Sequence, residues 1–99
     1  MKLYLDDERE APPGWHLVKT SDEAIEFLKG GSVTEISLDH DLGDDESGTG
    51  YDVILWIEKT VVEEGFIPQK IHIHTANSSA RVKMELGVKK IIQLAKSRN

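Results

Sequence analysis

The chain contains no cysteine, has only three prolines among 99 residues, and carries no apolar stretch long enough to span a bilayer. Without cysteine there is no disulfide framework, no thiolate metal site and no cysteine nucleophile. A membrane-spanning helix needs about 20 consecutive, mainly apolar residues. A secretory leader needs a basic start running into an apolar segment and a small-residue cleavage site. With neither in view, the expectation is a soluble, cytoplasmic protein with no membrane partner. Ninety-nine residues suffice for one hydrophobic core and are too few for two, so residues 1–99 are read as a single domain.

Basic residues are scarce along most of the chain. The net charge is −6, but residues 1–77 hold 17 acidic and 6 basic side chains, whereas residues 78–99 hold 1 acidic and 6 basic. The first part suits a cation. The tail of Arg81, Lys83, Lys89, Lys90, Lys96 and Arg98 suits either a phosphate-bearing ligand or a solvated helix face whose last turns oppose the dipole.

Leu3-Tyr4-Leu5 is a short apolar run that stops at Asp6-Asp7, which predicts a first strand. Ala11-Pro12-Pro13-Gly14 cannot continue a helix, so an irregular loop leads to a second strand at Trp15–Lys19. Thr20-Ser21-Asp22-Glu23 fits a capping box and opens a helix ending at Gly30-Gly31. Glu35–Leu38 reads as a third strand that breaks off at Asp39-His40-Asp41. After the polar loop from Leu42 to Gly50, Val53, Ile54, Ile57 and Val61 recur at helical spacing until Gly65. Lys70–His74 alternates polar and apolar like a strand with one covered face. Ser78–Lys96 reads as a helix that Gly87 kinks or breaks, and Val88–Ile92 fits either helix or a fifth strand. The β-β-α-β-α-β-α order predicts an α/β fold of three layers on a mainly parallel sheet of four or five strands.

In open parallel sheets the ligand crevice lies outside the carboxyl ends of the strands. Asp6-Asp7, Asp39-His40-Asp41 and His74-Thr75 all fall there. Asp6, Asp7, Asp39 and Asp41 crowded at one rim repel one another, and a hard divalent cation relieves that repulsion. Mg²⁺ suits the site best, with Mn²⁺ or Ca²⁺ as alternatives, and phosphate chemistry is what such a site does. Asp41 to Glu46 do not form a calcium hand, because Gly43 and Asp44 lack the required loop order.

The acidic pair, the strand ending in Asp39 and Thr75-Ala76 after the fourth strand resemble the receiver domains of response regulators. The chain departs from that pattern in two places: the Pro-Pro loop replaces the helix between the first two strands, and no Lys-Pro follows a fifth strand. Leu5-Asp6-Asp7-Glu8-Arg9 with Pro12, then Leu38-Asp39-His40-Asp41-Leu42, then His74-Thr75-Ala76-Asn77, are similar to the receiver-like family named for cyclic-phosphate processing. The resemblance implies a receiver/flavodoxin-like fold with its first helix missing. It also implies Mg²⁺ on Asp6 and Asp7, a central role for Asp39 as phosphoacceptor or metal ligand, and a phosphate contact from Thr75.

Beside such a rim, His40 and His74 are candidates for proton transfer near neutral pH. The planar fork of Arg9 suits a phosphate, or a salt bridge to the acidic rim. Thr75 and Asn77 complete the expected phosphate-binding set. Trp15 and Trp56 are expected to pack, leaving Tyr51 as a weaker ligand candidate. The expected function is metal-dependent processing of a cyclic phosphate, as phosphoesterase or cyclic phosphodiesterase, with a nucleotide or an RNA end under repair as substrate. The alternatives are a signalling module phosphorylated on Asp39, and a cation-binding interaction domain without chemistry.

Overall fold

The structure is a computed structural model that describes residues 1–65, 68 and 70–97. Four strands, β1 (Lys2–Leu5), β2 (Trp15–Val18), β3 (Glu35–Leu38) and β4 (Lys70–Ile73), form one sheet in the order β2-β1-β3-β4. Every pairing is parallel, and Leu5 lies level with Val18 on one side and Leu38 on the other. Three helices follow the strands: α1 (Ser21–Lys29), α2 (Gly50–Glu64) and α3 (Ser78–Ser97). None of the described helices is long and apolar enough to cross a membrane.

Strand alternation decides where the core sits. Leu3 and Leu5 of β1, Ile36 and Leu38 of β3, and Val18 of β2 point to one face and are buried. There they pack with Ala24 and Leu28 of α1, Val53, Ile54, Ile57 and Val61 of α2, and Met84 and Ile91 of α3. Each such aliphatic side chain contributes about 1.5–3 kcal/mol of transfer free energy when fully buried. The other face carries no helix among the described residues. In this strand order, right-handed crossovers put α1 and α2 on one side, and only the β1–β2 connection would deliver a helix to the other. That connection is the Pro-Pro loop, so the three layers expected reduce here to two.

Local signals set the helix ends. Thr20 caps α1 by accepting the Glu23 amide at 3.1 Å, but Glu23 Oε1 takes the Thr20 hydroxyl at 3.1 Å instead of returning a bond to the backbone. The reciprocal capping box occurs at Thr49 and Asp52, at the start of α2. Gly65, at φ 77°, closes α2 in the left-handed conformation that costs glycine least. Val88–Ile92 is helical, leaving four strands among the described residues, and α3 runs unbroken through Gly87. A Cβ on Gly87 would lie 2.6 Å from Ile54 Cγ2, so this glycine permits α3 to approach α2 closely.

Candidate functional site

The ladder continues one residue beyond three strands. The amides of Asp6, Asp39 and His74 donate to Val18 O, Leu5 O and Leu38 O, each at 3.0 Å. The rung therefore holds these residues in one row at the carboxyl rim. One carboxylate oxygen from each of Asp6, Asp7 and Asp39 lies within 4.8 Å of the others. At that spacing, like charges repel by on the order of 1–3 kcal/mol per pair, taking effective dielectrics from water-like to surface-like. The trio lines a cleft of about 350 Å³ together with Arg9, Asp41 and Thr75.

Asp6 is 1 % exposed, and both its oxygens are occupied. Oδ1 accepts the Glu8 and Arg9 amides at 2.8 Å each, and Oδ2 faces His74 Nε2 at 3.0 Å. Burial alone would raise its pKa, but the two amides and His74 outweigh it and hold the carboxyl below the usual range. His74 in turn has both ring nitrogens engaged, with Nδ1 2.7 Å from Ser37 Oγ. An ionised carboxylate only accepts, so Nε2 carries the hydrogen and Ser37 donates to Nδ1. Burial lowers the His74 pKa despite the pull of Asp6, which favours the neutral ring that this chain of bonds requires. The imidazole also stacks on Tyr4, with centroids 4.2 Å apart and planes within 4°.

His40 sits differently. Its amide donates to Asp39 Oδ1 at 2.8 Å, and its Nδ1 lies 2.9 Å from Asp41 Oδ1. Asp41 is held below the ordinary carboxylate pKa by His40 first, with a further bond from Asn77. Neither histidine belongs to the cleft lining; each stands one bond behind a carboxylate that does.

Among the other expected site residues, Arg9 Nη1 donates to His74 O at 2.9 Å while its Nε lies 3.9 Å from Asp6 Oδ2, so the guanidinium bridges two strand ends. Thr75 is buried in the cleft wall, with its Oγ1 accepting the Asn77 amide at 3.1 Å. Asn77 Oδ1 caps α3 by accepting the Ala80 amide at 3.0 Å, and with the bond to Asp41 both ends of its side chain are used. Asp41 lies outside the close trio but lines the same cleft.

Three basic residues of the tail already have partners within the fold. Lys90 pairs with Glu58 at 2.8 Å, Lys83 stands 3.9 Å over the Tyr51 ring, and Arg81 donates to Thr75 O at 3.0 Å. Tyr51 is therefore engaged by Lys83, and Arg98 lies outside the described residues.

Three supporting residues escape the sequence reading. Ser37 and Tyr4 orient His74, and the alternation of β1 and β3, which places them two residues before Asp6 and Asp39, was the available signal. Gly50 is the third. Its amide donates to His40 O at 3.1 Å. A Cβ there would lie 1.8 Å from Asp39 O, so only glycine lets α2 begin against the acidic turn.

A four-stranded parallel sheet in the order β2-β1-β3-β4, with helices after the strands and acids at its carboxyl rim, defines a receiver-like α/β domain. The family model of the cyclic-phosphate processing receiver domain matches residues 1–90, and the chain belongs to that family. No curated protein and no solved structure matches it significantly.

Proposed function

We propose that the acidic cleft processes a cyclic phosphate, on a nucleotide or an RNA end, with a divalent cation held by Asp6, Asp7 and Asp39. The observation that carries this reading is the close trio of carboxylates in one cleft with Arg9 and Thr75. All three donors are hard oxygens, which fits Mg²⁺ first and Mn²⁺ or Ca²⁺ next. Receiver domains bind Mg²⁺ through such acids. When bound, the cation supplies charge neutralisation for the phosphate oxygens.

The chain's own residues divide the remaining work. Arg9 and Thr75 orient the phosphate. Hydrolysis opens the ring when a water oxygen bonds to phosphorus and one P–O bond to the sugar breaks, the water proton leaving and the alkoxide gaining one. His40 is the candidate proton acceptor from the edge of the cleft: it stands outside the lining beside Asp39 and Asp41, and with Nδ1–H committed to Asp41 its Nε2 lone pair has no partner among the described residues. His74, bonded at both nitrogens, is a positioning residue for Asp6. Asn77 acts through Asp41 and the start of α3.

The test is turnover of 2′,3′-cyclic nucleotides and cyclic-phosphate-ended RNA with added Mg²⁺ or Mn²⁺, beside Asp39→Asn and His40→Ala. Wild-type activity that both variants reduce supports the reading, and wild-type turnover at background removes it. Asp39 and Thr75 lining one cleft also suit a second reading, phosphorylation of Asp39 as a signal. A hydroxylamine-sensitive label on Asp39 after acetyl phosphate treatment, without turnover, would favour that one.

A further inference from the structure

The face of the sheet opposite the helices is unlike a core surface. Strands of parallel sheets covered on both sides are apolar on both sides. Here β1, β3 and β4 alternate, and the second face carries Lys2, Tyr4, Trp15, Leu17, Ser37 and His72, with Glu35 between Lys2 and Lys70 and its Oε2 2.8 Å from His72 Nε2. Only Tyr4, Trp15 and Leu17 are large and apolar, too few to seat a helix across four strands. What the face offers instead is a continuous run of rings.

Tyr4 meets Trp15 edge-on at 6.0 Å, and Trp15 meets His72 at 6.2 Å. Tyr4 stacks on His74, the same ring that is bonded to Asp6 of the cleft. Lys2 lies 5.7 Å from the Trp15 ring and is exposed, as is Lys70 on β4, so two cations flank the single carboxylate of Glu35 at this border of the rings. Half-exposed aromatic planes on a sheet, with lysines beside them, bind the bases of unpaired strands by stacking, largely independent of sequence.

We propose that this face, which no helix covers among the described residues, is a nucleobase platform, on which bases of a single-stranded nucleic acid stack while its phosphate end occupies the acidic cleft. The proposal rests on the reading of that cleft as a phosphate site and names its substrate class as a strand rather than a free nucleotide. The juxtaposition supports it: His74 stacks on Tyr4 of this face and is bonded to Asp6 of the cleft, so a base against Tyr4 lies one ring away from the carboxylate trio.

The test uses a dye-labelled single-stranded RNA hexamer ending in a 2′,3′-cyclic phosphate, and the same hexamer with abasic sugars, followed by fluorescence anisotropy. The expected result is roughly tenfold or greater preference for the base-bearing strand, which Trp15→Ala abolishes and Lys2→Ala weakens. Should Trp15→Ala fail to fold by circular dichroism, quenching of wild-type tryptophan fluorescence by the base-bearing strand alone gives the same answer. Equal affinity for both strands, or a preference unchanged in a folded Trp15→Ala, overturns the platform. Turnover of a cyclic mononucleotide without base-dependent affinity removes the platform and leaves the activity. Base-dependent affinity without turnover supports the platform and removes the activity.

Discussion

His74 Nε2 lies 3.0 Å from Asp6 Oδ2, and the ring that makes this bond is fixed on its far side by Ser37 Oγ at 2.7 Å. The arrangement makes the histidine a support for a carboxylate rather than a group facing the cleft.

Removal of that support should weaken cation binding. Groups that orient a ligand from behind change metal affinity by about 10- to 100-fold when lost. Titration calorimetry with Mn²⁺ is expected to show a loss of this size for His74→Ala and partial recovery in His74→Gln, whose amide can still donate to Asp6. An unchanged dissociation constant in His74→Ala would contradict the assignment.

Acid should destabilise the cation-free protein in two steps. Burial depresses the His74 pKa below 6.5, and the Glu8 and Arg9 amides with His74 depress that of Asp6 below 3.8 against the opposing effect of burial. For a depressed pKa the folded state binds fewer protons than the unfolded chain, so the contribution is full above the unfolded value and lost as pH falls through the folded one. Melting temperatures in EDTA should therefore begin to fall below about pH 6.5 and fall again in the carboxylate range. His74→Gln should remove the first step and leave the second.

Asp39→Asn should act with opposite signs in the two states. Without cation, removing one of three crowded charges relieves repulsion and should raise the melting temperature. With millimolar Mg²⁺, wild type should gain stability by ligand linkage and the variant should gain little. Thermal scans of both proteins with and without Mg²⁺ decide it. A variant that responds to Mg²⁺ as wild type does would remove Asp39 from the ligand set.

Gly50→Ala should damage the site through the backbone. The added Cβ would fall 1.8 Å from Asp39 O, forcing α2 or the acidic turn to move. Overpacking of this kind costs about 1–3 kcal/mol, and cation affinity should fall with it. Gly14→Ala is the control. At φ +87° the substitution is strained, but nothing lies within 4 Å, so denaturant titration should show lost stability while cation affinity persists.

The readable parts of this fold share a property: their signals are short-range. Apolar runs ending in Asp6 and Asp39 announce strand ends, and the parallel topology then brings those ends together without any further cue. The alternating pattern of Lys70–His74 likewise gives its one covered face. Capping is harder to read, because Thr20 and Thr49 both precede an acid at the third position, yet Glu23 takes the Thr20 hydroxyl while Asp52 takes the Thr49 amide and closes the box. Gly87 looked like a break because a glycine in a helix usually costs stability, whereas here the close passage of Ile54 makes it the residue that fits. The support behind His74 depends on Ser37 and Tyr4 on two other strands: alternation puts them on the side of Asp39 and Asp6, but only the strand order brings them against the ring. Composition leaves the basic tail open between a phosphate attractor and a solvated helix face, and only packing shows Lys90 and Lys83 engaged by Glu58 and Tyr51 of the neighbouring helix.

The rung joining Asp6, Asp39 and His74 to the strands beside them ties chemistry to counting. Along β1, odd positions Leu3 and Leu5 build the core, and even positions Tyr4 and Asp6 face the opposite side. A strand has only two sides, so deleting Leu5, the one residue between Tyr4 and Asp6, would bring Asp6 into its core position and drive a carboxylate into the aliphatic layer, leaving Asp7 in the place of Asp6 at the rim. The protein can exchange side chains at its cleft one by one, but it cannot alter the length of the strand that leads there.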